Sequence, residues 1–214
     1  MANEIICHIK RRKEECVILK VDFEKVCDSV NWDFLIYMTR RLGFLSNWIM
    51  WIRGCLESSI VSDLVNGSPT EEFKLEKVLR HGDPLTPFLF LVVSKSLVGT
   101  VRQAENKNML HGVKVGQKEI NINMLQFAYD TLFICKPPFE NILVIKSMLR
   151  CFELASSVKV NFNKTKLGGF DVLHSKLLRF SEILNFRTMN IPFIYLGMPI
   201  GGNHRRRTFL EGND

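Results

Sequence analysis

The chain has 214 residues, 46% hydrophobic and 24% charged, with a formal net charge of +7 and a pI near 9.2. That is enough apolar material for one large domain or two small ones, and it excludes a chain disordered by composition. The basic balance leans mildly toward a polyanionic partner.

The six cysteines, Cys7, Cys16, Cys27, Cys55, Cys135 and Cys151, include no CxxC pair, and no histidine stands at finger spacing from them. This argues against a zinc module and a disulfide framework, and for reduced thiols in a nuclear or cytoplasmic protein. Residues Met1 to Lys10 lack the apolar core of a signal peptide. The longest apolar run, Pro87 to Val93, is too short to span a bilayer, so no membrane partner is expected.

In chain order, Glu4 to Glu15 reads as an exposed helix carrying Lys10, Arg11, Arg12 and Lys13, either a solvated face or a phosphate contact. Cys16 to Val21 is a short β-prone run that ends at Asp22. Ser29 or Asn31 can N-cap the next helix, whose stripe is Trp32, Leu35, Ile36 and Leu42, with Gly43 as its stop. A second helix starts near Asn47 and turns Trp48, Trp51, Ile52 and Leu56 inward, the tryptophans as core. Ile60 to Val65 and Glu72 to Leu75 form a hairpin about Asn66-Gly67, because Asn-Gly supplies the positive φ angles of a tight turn.

The segment Arg80-His81-Gly82-Asp83-Pro84 then opens a helix to about Gln103, with Phe88, Leu91, Val92 and Ser96 facing inward. After His111-Gly112 come a short strand and Ile120 to Gln126, which feed a central hairpin, Leu125 to Ile134. Its two apolar arms flank a polar centre that carries Asp130. Two acidic residues at the ends of different strands, Asp22 and Asp130, are what a divalent-metal site needs, since Mg²⁺ is commonly held by one or two carboxylates plus substrate phosphates.

Pro137-Pro138 breaks the chain, and Ile142, Ile145, Leu149 and Phe152 recur at helical spacing. Val158 to Phe162 reads as β, with Lys164 in the turn behind it. Leu173, Leu177, Phe180 and Leu184 mark another amphipathic helix, Phe193 to Ile200 a last small hairpin, and Gly201 to Arg207 a flexible tail. The sum is an α+β fold: an antiparallel sheet with helices packed on one face.

Several runs now line up in order: Lys20-Val21-Asp22-Phe23-Glu24-Lys25, Asp28-Ser29-Val30-Asn31-Trp32, Val65-Asn66-Gly67-Ser68-Pro69-Thr70, Arg80-His81-Gly82-Asp83-Pro84-Leu85-Thr86-Pro87, Phe127-Ala128-Tyr129-Asp130-Thr131 and Tyr195-Leu196-Gly197. In order and spacing they resemble a reverse transcriptase, with the plant non-LTR (LINE-type) retrotransposon enzymes as the nearest likeness. The resemblance implies the palm of a right-hand polymerase. Residues 1–170 would be the palm subdomain without its fingers, 171–207 the start of the primer-grip and thumb-proximal region, and 208–214 an irregular, truncated end.

It also implies roles. Asp22 and Asp130 would hold two Mg²⁺ ions for nucleotidyl transfer, extending a DNA primer on an RNA template from deoxynucleoside triphosphates. Phe23, Cys27, Arg80, His81, Gly82 and Lys164 would contact substrate, Lys164 near the triphosphate. Tyr195, Leu196 and Gly197 would form the primer grip.

Three positions depart from the family's pattern. Its hairpin reads aromatic-Ala-Asp-Asp, and here the first aspartate is Tyr129. A phenol is neutral at pH 7 and supplies no fixed negative charge to offset two divalent ions. The aromatic that stacks on the nucleotide sugar is Cys27, and the glutamine after Arg80 is His81. Each change is one nucleotide substitution away, the pattern of a decaying element copy. The expectation is therefore an RNA-directed DNA polymerase palm in which this copy is inactive or nearly so. The alternative is a non-catalytic nucleic-acid-binding remnant, and beyond that an expressed relic without a molecular role.

Overall fold

A computed structural model describes residues 2–24, 29–58, 60–62, 64–74 and 85–202. The elements are α1 (Ala2–Arg12), β1 (Cys16–Val21), α2 (Trp32–Arg41), α3 (Ser46–Glu57), β2 (Ile60–Val61), β3 (Leu64–Val65), β4 (Ser68–Pro69), β5 (Phe73–Lys74) and α4 (Leu85–Asn106). They continue with β6 (Val113–Val115), β7 (Ile120–Ile122), β8 (Met124–Phe127), β9 (Asp130–Cys135), α5 (Phe139–Ser156), β10 (Lys166–Phe170), α6 (His174–Leu184), β11 (Arg187–Thr188), β12 (Phe193–Tyr195) and β13 (Met198–Ile200). The class is α+β, as the patterning indicates.

The chain falls into two compact units whose segments interleave. The first takes Met1–Asp22, Thr100–Met148 and Val160–Asp214; the second takes Phe23–Gly99 and Leu149–Lys159. The first unit is built on a five-stranded sheet of order β11-β10-β1-β9-β8. All its pairings are antiparallel except β10 with β11.

Strand β1 is apolar on both faces because both are covered. Cys16 and Ile18 join Leu132, Ile134 and Phe170 in a core completed by Ile5, Ile6 and Ile9 of α1 and by Phe193, Tyr195 and Ile200. Full burial of each such aliphatic side chain contributes roughly 1.5–3 kcal/mol. On the other face, Leu177 of α6 packs over Gly169, where an added Cβ would stand 3.0 Å from its Cδ2. Helices therefore lie against both faces, and α1, expected as an exposed helix, instead buries Ile5, Ile6 and Ile9 against the sheet.

In the second unit, Asn31 N-caps α2 by accepting from the Phe34 backbone N–H, and Gly43 follows the helix at φ +82°. Asn66 and Gly67 take φ values of 51° and 82°, the two positive angles of a type I′ turn, between β3 and β4. The outer ladder, β2 with β5, closes the same hairpin.

Three further expectations are corrected. Trp48 and Trp51 are 48% and 61% exposed, and α3 buries only Ile52 and Leu56. On α4 the buried positions include Leu89, Phe90, Val92, Val93 and Leu97, whereas Phe88 and Leu91 are exposed. This helix also extends well past the run Pro87 to Val93. By length and composition alone it could cross a membrane, and 44% of that window is buried in the fold. Finally, Val158 to Phe162 is not a strand: only Val160 makes a bridge, and the strand is Lys166–Phe170.

Candidate active site

Strand β1 ends one residue before Asp22, and β9 begins at Asp130. Their ladder runs antiparallel and its last pair is Val21 with Thr131. Continued by one residue, that register would set Asp22 opposite Asp130, on the face of Lys20 and Leu132 by the alternation of the pleat. The apolar arms of both strands fix this register. A slip of one residue would turn Ile18, Leu132 and Ile134 out of the core.

The backbone at Asp22 is held from below. Its N–H donates to Thr165 Oγ1 at 3.2 Å, its carbonyl accepts from the Asn161 N–H at 2.8 Å, and the Thr165 hydroxyl donates back to that carbonyl at 3.4 Å. Thr165 is fully buried. The turn 162–164 stays compact through the Asn161 side chain, whose Oδ1 accepts from the backbone N–H groups of Asn163 and Lys164. Lys164 is thereby placed in the turn that the sequence assigns to it.

Asp130 opens β9 immediately after the two-residue turn Ala128-Tyr129, in which Ala128 is left-handed at φ 48°. Tyr129 is half-buried in that turn. The backbone carbonyl of Asp130 accepts a hydrogen bond from the Tyr195 hydroxyl. Burial, and then the Asp130 charge, push the Tyr195 phenol from 10.0 up to about 12. Leu196 and Gly197 form the turn of the β12–β13 hairpin, at φ values of 51° and 73°.

A cleft of about 670 Å³ lies beside Asp22. Lys20, Lys164, Lys166 and Asn163 line it together with Asp22, and Phe193 and Ile194 of the β12 strand form part of its wall. Lys20 Nζ donates to the Ile194 carbonyl at 3.0 Å and so tethers β1 to that strand. The cleft brings Asp22 and Lys164 together, and Asp130 is not part of its lining.

Phe23 belongs to the second unit. Its ring is 8% exposed and packs against Phe90 and Phe152, with centroids 6.3 and 5.4 Å away. It is placed as a core ring. Cys27, Arg80, His81 and Gly82 lie outside the described residues. Thr165 and Lys166 carry no motif and Lys20 only opens the run to Lys25; strand register exposes their part in the site.

Mg²⁺ seeks hard oxygen donors, which Asp22 and Asp130 are. Among the described residues no group of three or more His, Cys, Asp or Glu side chains could hold a metal ion. Asp22 and Asp130 are two carboxylates of that kind, and the residue before Asp130 is the neutral phenol of Tyr129.

A largely antiparallel sheet with carboxylates at adjoining strand ends and a hairpin tethered to the two strands that carry them is a palm-type polymerase fold. Solved structures share it. The chain is similar to telomerase from Candida albicans in complex with a TWJ fragment of telomeric RNA, with a TM-score of 0.62 and 12% identity over 92% of this chain and 31% of that one. It is likewise similar to apo telomerase from Candida tropicalis truncated from its C-terminal domain, with a TM-score of 0.56 and 18% identity over 81% and 35%.

The family profile described as "Reverse transcriptase (RNA-dependent DNA polymerase)" matches residues 2–202, and the chain belongs to that family. An uncharacterized mitochondrial protein of Arabidopsis thaliana is 38% identical over 68 residues, which are 32% of this chain and 56% of that protein. The retrovirus-related Pol polyprotein from type-1 retrotransposable element R2 of Popillia japonica is 28% identical over 118 residues, 55% of this chain and 16% of the polyprotein. The corresponding Pol polyprotein from type-2 retrotransposable element R2DM of Drosophila melanogaster is 26% identical over 97 residues, 45% and 9%. The chain thus spans a little over half the length of the first of these relatives and a small part of the other two.

Proposed function

We propose that this chain is a palm portion of a retrotransposon RNA-directed DNA polymerase whose parent enzyme extends a DNA primer on an RNA template, and that this copy is inactive or nearly so. The observation that carries the reading is the β1–β9 register, whose last pair, Val21 with Thr131, leaves Asp22 and Asp130 at adjoining strand ends. In this reading the two carboxylates are what remains of the metal cradle. Bound Mg²⁺ would supply charge neutralisation for the triphosphate and activation of the primer hydroxyl.

The chain's own residues have separate tasks. Thr165 holds the Asp22 backbone so that the carboxylate is presented at the strand end. Lys164 offers a positive charge, or a proton, to the departing pyrophosphate. Tyr195, Leu196 and Gly197 place the primer end, and Arg80, His81 and Gly82 contact template and nucleotide. Tyr129 puts a neutral ring where an anion is needed, and this is the reason for the loss of activity.

Primer extension with the purified chain and Mg²⁺ or Mn²⁺ tests this. Template-dependent incorporation well above that of an Asp22→Ala variant would overturn the inactivity. The three cleft lysines favour a second reading, retention of nucleic-acid binding without synthesis. Its signature is salt-dependent binding to RNA or to a hybrid duplex with no incorporation. A nuclear or cytoplasmic location accords with the free thiols Cys7, Cys16, Cys135 and Cys151.

A further inference from the structure

Lys20 and Lys166 are direct partners across β1 and β10. Opposed residues of an antiparallel pair share a face with Cβ atoms about 4.5–5.5 Å apart, and like charges in that position are destabilising. Both lysines line the 670 Å³ cleft. Lys20 spends one of its N–H donors on Ile194 O. Among the described residues no carboxylate pairs with Lys166 or Lys164. The cleft sets three ammonium groups against the single carboxylate of Asp22 and adds the amides of Asn163 and Asn190. Its volume is that of a ligand site.

A solvated face would have no reason to oppose two lysines directly inside a concavity. An anion held between them turns the repulsion into attraction, and lysine is a phosphate binder through its point charge. We infer that the Lys20–Lys166 pair is a metal-independent phosphate-binding site, distinct from the Asp22–Asp130 pair, for a phosphodiester of a polynucleotide strand or the phosphate chain of a free nucleotide. The inference rests on the polymerase reading only for the identity of the phosphate carrier.

The test is binding of labelled oligo-dT and of inorganic tripolyphosphate by the whole chain in EDTA, across a salt series. Removing two phosphate contacts from a single-strand complex lowers the log–log salt slope by about 1.4, which is about 25-fold in affinity at 0.1 M salt relative to 1 M. The Lys20→Met/Lys166→Met variant is expected to show that loss. Lys20→Arg/Lys166→Arg should restore binding, and Lys118→Met, outside the cleft, should leave it unchanged.

Loss confined to oligo-dT assigns the site to a polynucleotide, and loss confined to tripolyphosphate assigns it to free nucleotide. Tripolyphosphate should also raise the melting temperature of the unmodified chain and not that of the double variant. Should the double variant misfold for want of the Ile194 tether, Lys166→Met alone carries half the slope change, about 0.7, or about fivefold. Unchanged affinity and slope for both probes in a folded variant overturns the inference. Template-dependent primer extension by the unmodified chain would overturn only its proposed inactivity and would leave lysine-dependent binding in EDTA standing.

Discussion

The Tyr195 hydroxyl donates to the backbone carbonyl of Asp130 at 3.4 Å. With the Lys20 tether to Ile194, it fastens the β12–β13 hairpin at two points to the strands that carry the carboxylates. In the primer-grip reading, the position of the primer end and the position of the metal ligands are therefore mechanically linked.

Tyr195→Phe removes that bond while keeping the buried ring. A lost hydrogen bond of this kind costs about 1 kcal/mol, and in a chain of this size the melting temperature should fall by about 2–4 °C. The pH dependence has a definite sign. The folded-state phenol sits near 12 against an ordinary 10.0, so its stabilising contribution is complete below pH 10 and is lost as pH rises toward 12. The stability gap between the unmodified chain and Tyr195→Phe should narrow over that interval, as read by urea melts at stepped pH.

Thr165→Val keeps the volume and deletes the hydroxyl that both accepts from and donates to the Asp22 backbone. A buried N–H left without its partner costs about 1–3 kcal/mol. Thr165→Ser should recover most of it. Chemical denaturation gives the first number, and Mn²⁺ titration of the folded variants shows whether Asp22 has lost its presentation.

Tyr129→Asp restores the third anion. Mn²⁺ affinity, followed by electron paramagnetic resonance, should tighten about tenfold or more, on the order of 1.4 kcal/mol. Primer extension should rise from background in the same variant if the metal set is what limits it. Tighter Mn²⁺ without synthesis would mean that substrate contacts, not ligands, are limiting.

Gly112→Ala is predicted to be among the most damaging surface-remote substitutions. Its new Cβ would collide with Asn123 Oδ1 and with the backbone carbonyl of Ile122. Asn123 is buried and its carbonyl accepts from Ile134 N–H, inside the strand that carries the site. Overpacking against backbone costs about 1–3 kcal/mol or more, visible as a fall in denaturant midpoint.

What could be read from residues alone follows from how each element declares itself. Strand β1 and the β8–β9 hairpin are continuous apolar runs interrupted by charge, so Asp22 and Asp130 stood out at once. Strand β10 did not, because Gly168 and Gly169 break any β pattern. The glycines are there because Met189, Leu177 and the Cys16 carbonyl approach to within 3.0–3.3 Å of where side chains would begin. The exposure of Trp48 and Trp51 is hidden for the opposite reason: helical spacing reports a stripe without saying whether anything covers it. Lys166 and Thr165 are ordinary residues in sequence, Lys20 is only the first residue of a motif run, and their convergence is a product of strand pairing between distant segments.

Strand β1 lies between β9 and β10. On the ribosome this central strand is made well before its neighbours, neither of which exists until residues 130–135 and 166–170 have been translated. At the usual rate of synthesis that is a delay of roughly 5–20 s for the first partner alone. Through that time an apolar segment with two open edges has no mate, and a nascent chain in that state is a natural client for chaperones and a ready seed for aggregation.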